Sequence, residues 1–290
     1  MEVITRTDLP LKLFSRGKVR DTYETKDGNL LMVASDRLSA FDVVFSEGIP
    51  NKGRILTGLS LFWFEKLSGI VENHLLSTEM PEGFPSYLKG RSMVVKRAKP
   101  IMLECVVRGY LAGSGLKEYN EKGTICGIAL PPGLKNGSKL PRPIFTPSTK
   151  AEKGHDVNVN DADAKKIVSE ETYNAVKELS LKIYSTAADY AKTRGIILAD
   201  TKFEFGFHNG KIILIDEVLT PDSSRYWPLD KYVVGVNQPS YDKQFVRDYL
   251  ETTNWDKKPP APKLPPDVVK KTSEKYIQAY ELLTGKKFVQ

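Results

Sequence analysis

Cysteine and histidine are scarce in this chain. Its 290 residues include two cysteines, Cys105 and Cys126, in different segments with no CxxC spacing. That excludes a disulfide framework and a thiolate zinc site and predicts two plain thiols. The three histidines, His74, His155 and His208, are too scattered for a metal triad of recognisable spacing. No run approaches the ~20 apolar residues that span a bilayer, and the start, MEVITRTDLPLKLFSRGK, alternates charged with apolar residues and has no signal-peptide core. A cytoplasmic protein with no membrane partner is expected. Neither GxxxxGKS/T nor GxGxxG occurs, so neither a Walker-type NTPase nor a dinucleotide fold is indicated. HRD, DFG and the GxSxG elbow are missing too, and no serine or cysteine triad can be assembled.

What is there is an ordinary globular composition, 40% hydrophobic, long enough for one large domain or two interlocked ones. The net charge of +7 is spread along the chain, which suits nucleotides and phosphorylated metabolites as well as nucleic acid. The lysines near the end, Lys257, Lys258, Lys263, Lys270 and Lys271, flank prolines and read as a solvated face.

Short apolar runs such as Leu30 to Ala34 and Met93 to Val95 make the first hundred residues strand-rich, interrupted by a helix from about Arg54 to Leu67. Residues 101–110 read as a strand. From about 120 to 153 the chain is rich in Gly, Pro and Lys and reads as a long surface excursion. A helix follows the Asn160-Asp161 cap and stops at Gly195. Residues 196–199, 203–207 and 211–215 read as three successive strands, and a final helix over 267–284 ends before Gly285.

Four segments could carry chemistry. In 200–225 charged residues interrupt apolar strands, and neighbouring carboxylates there suit a magnesium ion, which takes oxygen ligands and few protein groups. The wet face of a half-exposed sheet would read the same way. Arg16 to Asp21 could lay a glycine and cations over phosphates, or be a basic turn. Ser35 to Asp42 mixes hydroxyls, carboxylates and a guanidinium that could hold an amino acid, or cap a helix. In Arg108 to Gly115, glycines would let the backbone approach a ligand while Arg108 forks onto a phosphate, or they form a plain turn.

Seven strings, GKVRDTYE, SDRLSAFDVVFSEGIPNKG, VVKRAKPIMLECVVRGYLAGSG, TPSTKAEKGHD, ILADTKFEFG, IDEVLTPDSSR and QPSYDKQFVRDYL, occur in an order that closely resembles the phosphoribosylaminoimidazole-succinocarboxamide synthases. The segment from Asn120 to Arg142 looks like that family's longer, single-function form. Ser223-Ser224 departs from the glycine many relatives carry beside that serine. The resemblance implies an α+β, SAICAR synthase-like and ATP-grasp-like two-lobed fold. An antiparallel ATP-binding lobe over 1–104 would face an α+β lobe over 105–290 with the metal and ribotide site. It implies an ATP- and magnesium-dependent ligase that joins aspartate to a carboxylated aminoimidazole ribotide, with small-molecule partners, no nucleic acid, and a monomer favoured over an oligomer.

By motif position the resemblance places Lys18 and Arg20 on ATP phosphates and the strand from Lys96 to Glu104 along the adenine. Glu204 and Asp216 would hold magnesium. Arg108, Ser114, Asp200, Lys202 and Arg225, with Arg247 as an addition, would bind the ribotide. The Ser35 to Asp42 loop, through Ser35, Asp36, Arg37 and Ser39, would take aspartate together with His155 and Asp156. Such a reaction activates a carboxylate as an acyl phosphate for attack by the amine, so catalysis rests on positioning anions and neutralising charge. Asp36 and Asp200 are candidate proton acceptors, and Lys202 completes the catalytic set. A kinase-like phosphotransferase and a basic nucleic-acid-binding protein are the rival readings.

The metal role constrains a hairpin. With a two-residue Asn209-Gly210 turn, Glu204 opposes Ile215, and strict alternation sends Glu204 and Asp216 to opposite faces. A shared ion therefore predicts a three-residue loop over His208 to Gly210 with a bulge at Gly210.

Overall fold

Alternating burial along short β-branched and leucine-rich runs builds the first half of the protein. The computed structural model describes residues 2–80, 83–150 and 157–289. Strands β1 (Lys12–Arg16), β2 (Arg20–Glu24) and β3 (Leu30–Ala34) are followed by the small hairpin β4 (Arg37–Ala40) and β5 (Val43–Gly48), helix α1 (Lys52–Lys66), β6 (Leu75–Ser77) and β7 (Ser92–Val95). The main sheet here is antiparallel, in the order β1-β2-β3-β7-β6. Helix α1 buries Ile55, Leu56, Leu59, Trp63 and Phe64. Its second residue must be Gly53, because a Cβ there would lie 2.1 Å from the Ala34 carbonyl oxygen.

The second half contains β8 (Lys99–Pro100), β9 (Leu103–Tyr110), α2 (Gly113–Lys122), β10 (Thr124–Ile125), β11 (Ile128–Ala129), β12 (Lys139–Phe145), β13 (Ser148–Thr149), α3 (Asp161–Val168), α4 (Glu170–Thr193), β14 (Ile196–His208), β15 (Lys211–Ile215), β16 (Ser224–Pro228), α5 (Gln244–Glu251) and α6 (Pro266–Thr284). Strand β14 is the spine of a seven-stranded antiparallel sheet, paired with β9, β15, β16 and β8. Apolar side chains of α1, β7, β9, α4, β14 and α6 form one continuous core. A parallel bridge between Asn73 and Leu214 ties the lobes together at the sheet edges. The architecture is the α+β, two-lobed arrangement expected.

Several local expectations change. Residues 196–199 and 203–207 are not two strands but parts of β14, because polar Asp200, Thr201 and Lys202 stay paired with β9. The glycine-rich stretch after Tyr110 opens helix α2, which the sequence reading missed. The 120–153 excursion is only partly a surface loop, since β12 pairs with β9 inside the main sheet. The single helix expected after Asn160 is two helices, broken at Ser169 at φ 74°; its hydroxyl accepts the Thr172 N–H and caps α4.

Strands β14 and β15 pair from Glu204 opposite Ile215 to His208 opposite Lys211, leaving a two-residue turn with Asn209 at φ 50° and Gly210 at φ 76°. This is the primed turn that Asn-Gly favours, so the predicted three-residue loop is overturned. The two carboxylates are still near enough to repel each other. Asp216 itself lies at φ 61°, so alternation ends at Ile215 and its side chain turns back toward Arg20. Nothing lies within 4 Å of a Cβ built on Gly210. Gly210→Val is therefore expected to cost only the left-handed backbone penalty, about 1–2 kcal/mol, lowering the melting temperature and leaving kcat unchanged. A loss of kcat would mean that the turn, not Asp216, sets the site.

Candidate active site

The site grows from the period of two in β14. Thr201, Phe203 and Phe205 are buried, so Asp200, Lys202 and Glu204 share the opposite face. Strand β9 places Arg108 opposite Asp200, and two and four residues back on the same face stand Val106 and Glu104. Strand β16 places Arg225 opposite Asp200 from the other side. Three strands thus present one row of opposed charges.

At one end, Arg108 Nη1 donates to Asp200 Oδ2 at 2.8 Å, its Nε to Thr146 Oγ1 at 3.0 Å and its Nη2 to Ser114 Oγ at 3.0 Å. Arg225 pairs with the same Asp200 oxygen through Nη1. The other edge of its guanidinium lies against Gly113, where a Cβ would sit 2.1 Å from Nη2. A cavity of about 220 Å³ opens there, lined by Gly113, Asn136, Arg225, Asn237 and Gln244 among others. Sequence reasoning did not anticipate that Asn136 would close it, donating to Val236 O at 3.1 Å and Asn237 Oδ1 at 3.2 Å.

At the other end, Lys202 Nζ lies 2.6 Å from Glu104 and 3.5 Å from Glu204, while Lys150 pairs with Glu204. Arg20 reaches across from β2 to Asp216 at 2.6 Å and Glu217 at 3.2 Å. Burial, with Glu204 and Glu217 adding repulsion, pushes the Asp216 carboxyl up to about 6 against the pull of Arg20. Burial also raises Glu104, with Glu204 adding to it. Burial opposes ionisation of Glu204 as well, but Lys202 and Lys150 hold it below the usual carboxylate range.

Other expected residues fall elsewhere. Lys18 is exposed and pairs with Asp42 across the loop mouth. Lys96 donates to the Asn73 carbonyl at 3.3 Å where the lobes join. His155 and Asp156 lie outside the described residues.

The first half of the loop expected to select aspartate, Ser35 to Ser39, is an internal brace. Ser35 and Asp36 are completely buried, and Arg37 and Ser39 nearly so. The Asp36 carboxylate accepts from Ile4 N at 2.8 Å and Gly53 N at 2.9 Å and lies 3.0 Å from Arg91. Ser35 donates to the Val19 carbonyl, and Arg37 to the carbonyls of Thr5, Gly17 and Lys18 and to Asp21 at 2.7 Å. These groups shape the 17–19 loop and leave none of the Asp36 or Arg37 charge for a ligand. Removing one partner of such a buried pair costs about 3–5 kcal/mol. Asp36→Asn should lower the melting temperature sharply while the KM for aspartate in the folded fraction stays at its wild-type value. A raised aspartate KM at unchanged stability would restore the binding role.

A second buried cluster escaped the sequence reading. Asp222 accepts from Lys52 Nζ and from Tyr276 Oη, each at 2.7 Å, and lies 3.4 Å from Lys243. Both the Lys52 and Asp222 side chains are buried. Lys243 and Lys52 stand in strings that carried the family resemblance, but nothing local in the sequence joins residues 170 positions apart.

A family model described as SAICAR synthetase matches residues 13–262. The chain belongs to the SAICAR synthetase family. It is 60% identical over 290 residues to the phosphoribosylaminoimidazole-succinocarboxamide synthase of Thermodesulfovibrio yellowstonii, covering 98% of this chain and 99% of that one. The Desulfosudis oleivorans enzyme of the same name is 56% identical with the same coverage. The solved SAICAR synthase of Saccharomyces cerevisiae, complexed with SAICAR, superposes with a TM-score of 0.89 at 48% identity over 99% of this chain and 100% of that chain. A SAICAR synthetase in complex with ADP gives 0.73 at 27% identity, covering 95% and 99%. Family membership makes the chain a carbon–nitrogen ligase that attaches aspartate in purine biosynthesis. The kinase-like and nucleic-acid-binding readings are not favoured. Among the described residues no helix is long and apolar enough to cross a membrane.

Proposed function

We propose that the charged face of β9, β14 and β16 binds ATP, magnesium and the 5-amino-1-(5-phospho-D-ribosyl)imidazole-4-carboxylate to which aspartate is joined. The observation that carries this reading is the division of one row of charge into two ends. One end has two carboxylates, Glu204 and Asp216, bracketed by Lys150, Lys202 and Arg20. The other has Arg108 and Arg225 on Asp200.

The carboxylate end fits magnesium. Its donors would be carboxylate oxygens from two residues, since among the described residues no group of three or more His, Cys, Asp or Glu is placed to hold a metal ion without substrate ligands. That is the donor set of an ion held by one or two carboxylates together with substrate phosphates. The raised Asp216 carboxyl marks a spot where a cation relieves repulsion. When bound, the ion supplies charge neutralisation for the phosphates. Arg20, with Lys18 at the loop mouth, meets the phosphates, and the segment from Lys96 to Glu104 lies along the base. The ADP complex of a relative supports use of the nucleotide.

The arginine end fits the ribotide. Arg225 lines the cavity beside Gly113, which suits a phosphoribosyl group, with Arg108 bonded behind it to Asp200 and Ser114, while Asp200 and Lys202 stand between it and the carboxylate end. There the substrate carboxylate meets the γ-phosphate. A carboxylate oxygen attacks the γ-phosphorus, the bond to the β-phosphate breaks and ADP leaves the acyl phosphate; the aspartate amine then attacks its carbonyl carbon, phosphate leaves and the amine proton is taken up. Asp200 has one carboxylate oxygen shared by two guanidiniums, and so orients the arginines whatever its part in proton transfer. Two buried free thiols, Cys105 and Cys126, suit a reducing cytoplasm.

The test is steady-state ADP release by the wild-type protein. Release should require ATP, magnesium, aspartate and the carboxylated ribotide together, with SAICAR formed in equal amount. Turnover of ATP at full rate with the ribotide or aspartate omitted would overturn the reading.

A further inference from the structure

The aspartate substrate brings two carboxylates, and the loop that its sequence recommended for them is saturated by the protein's own groups. Cations with spare capacity stand elsewhere. Lys243 and Arg247 are one helical turn apart at the start of α5, so their side chains share a face. Among the described residues the Arg247 guanidinium makes no hydrogen bond or ion pair, and Lys243 makes a single long contact, 3.4 Å to Asp222. Asp222 is already occupied, one oxygen by Tyr276 and the other by Lys52. Lys52 and Lys243 therefore share one carboxylate that two donors have already claimed, while Arg247, attracted by Asp242 and Asp200 and repelled by Arg225, bonds to none of them.

The chemistry of the groups agrees. Burial lowers Lys243, and although Asp222 opposes the shift, Lys52 and Arg247 add to it. Burial lowers Arg247, with Arg225 adding repulsion against the partial pull of Asp242 and Asp200. An anion arriving beside these two side chains removes that repulsion. Lys52 is inaccessible, so it cannot touch a ligand; with Tyr276 it fixes Asp222, and Asp222 in turn holds the Lys243 ammonium in place. Lys52 is a positioning residue, and the half-buried Lys243 is the donor that a ligand can reach.

Location decides which anion. Asp222 lies in the 216–223 loop, between Asp216 and Glu217 at the metal end and Arg225 at the ribotide end. Lys243 interacts with Glu217, the partner of Arg20, and Arg247 interacts with Arg225 and Asp200. A ligand held on Lys243 thus sits between the phosphate end and the ribotide end, where the attacking amine must be. The ribotide phosphate already has the Nη2 edge of Arg225 at the cavity on the far side.

We propose that Lys243, held by the Asp222–Lys52–Tyr276 brace and flanked by Arg247, binds a carboxylate of the aspartate substrate and sets the preference for a dicarboxylic amino acid. The inference rests on the ligase reading above. If ADP release by the wild type proves independent of aspartate, that reading fails; a defect in the wrong substrate constant defeats only the subsite.

The experiment compares Lys243→Gln and Lys243→Arg with the wild type, measuring KM for each of the three substrates and inhibition by succinate, a dicarboxylate without the amine. Loss of one charge-assisted hydrogen bond predicts an aspartate KM raised by about 10- to 100-fold in Lys243→Gln, with succinate inhibition weakened by a similar factor. The KM values for ATP and the ribotide should stay close to wild type. Lys243→Arg, which keeps the charge in the brace, should recover most of the aspartate KM, and it remains informative if the Gln variant does not fold. An aspartate KM and succinate inhibition that do not move, or a ribotide or ATP KM that rises as much as that for aspartate, would overturn the proposal.

Discussion

Glu204→Gln should lower kcat by about 100- to 1,000-fold at saturating substrates, the effect of removing one preorganised electrostatic partner from developing charge, and should raise the magnesium concentration needed for half-maximal rate. The physical reason lies in how Glu204 is held. Its carboxylate is kept ionised by Lys202 and Lys150 despite burial, and it stands beside an Asp216 whose own carboxyl is lifted to about 6 by burial and carboxylate repulsion. Glutamine keeps the shape and removes the charge. Lys202 retains Glu104 at 2.6 Å, so the sheet should stay folded. Asp216 adds a pH signature. Metal and proton compete for its carboxylate, so the wild-type magnesium requirement should climb as pH falls through about 6. A Glu204→Gln enzyme with wild-type kcat and metal dependence would show that the carboxylates serve only to balance the lysines.

How much of this was legible in the sequence differs from residue to residue. The alternation in DTKFEF is local, and it puts Asp200, Lys202 and Glu204 on one face whatever the rest of the chain does. The same polar residues suggested a break in the strand, because the pairing of Asp200 with Arg108 and of Lys202 with Val106 lies in a distant segment. Asp36 shows the converse. A cluster of hydroxyls, a carboxylate and a guanidinium reads as a binding loop until their partners are known, and those partners include the backbone of Ile4 and Gly53 and the side chain of Arg91. Residue type signals that a charge needs a partner; it does not say whether the protein or the substrate provides it. The hairpin failed for another reason. Its turn obeyed Asn-Gly chemistry, while the side of the sheet taken by Asp216 depended on one left-handed residue beyond the strand, which aspartate tolerates and no pattern announces.

Arg225→Lys should raise the ribotide KM by roughly 30-fold or more, the equivalent of the 2–5 kcal/mol typical for truncating a buried, hydrogen-bonded charge pair, and leave the ATP KM near wild type. Arg225 has two jobs on two edges of one plane. Its Nη1 holds Asp200, which Arg108 also holds at 2.8 Å, and its Nη2 edge faces Gly113 and the cavity. A lysine ammonium is a single point on a flexible stem and can satisfy Asp200 or a ligand, but not both in a fixed geometry. Gly113→Ala tests the same assignment without touching the charge. Its Cβ would lie 2.1 Å from Nη2, and the backbone there has φ 55°, so the guanidinium must move away from the cavity. Both variants should therefore show a ribotide defect, one by losing the fork and one by displacing it. The ATP end, built from Arg20, Glu204 and Asp216 on other elements, should be spared in each. Equal increases in both KM values, or none, would mean that Arg225 braces Asp200 and does not meet the ribotide.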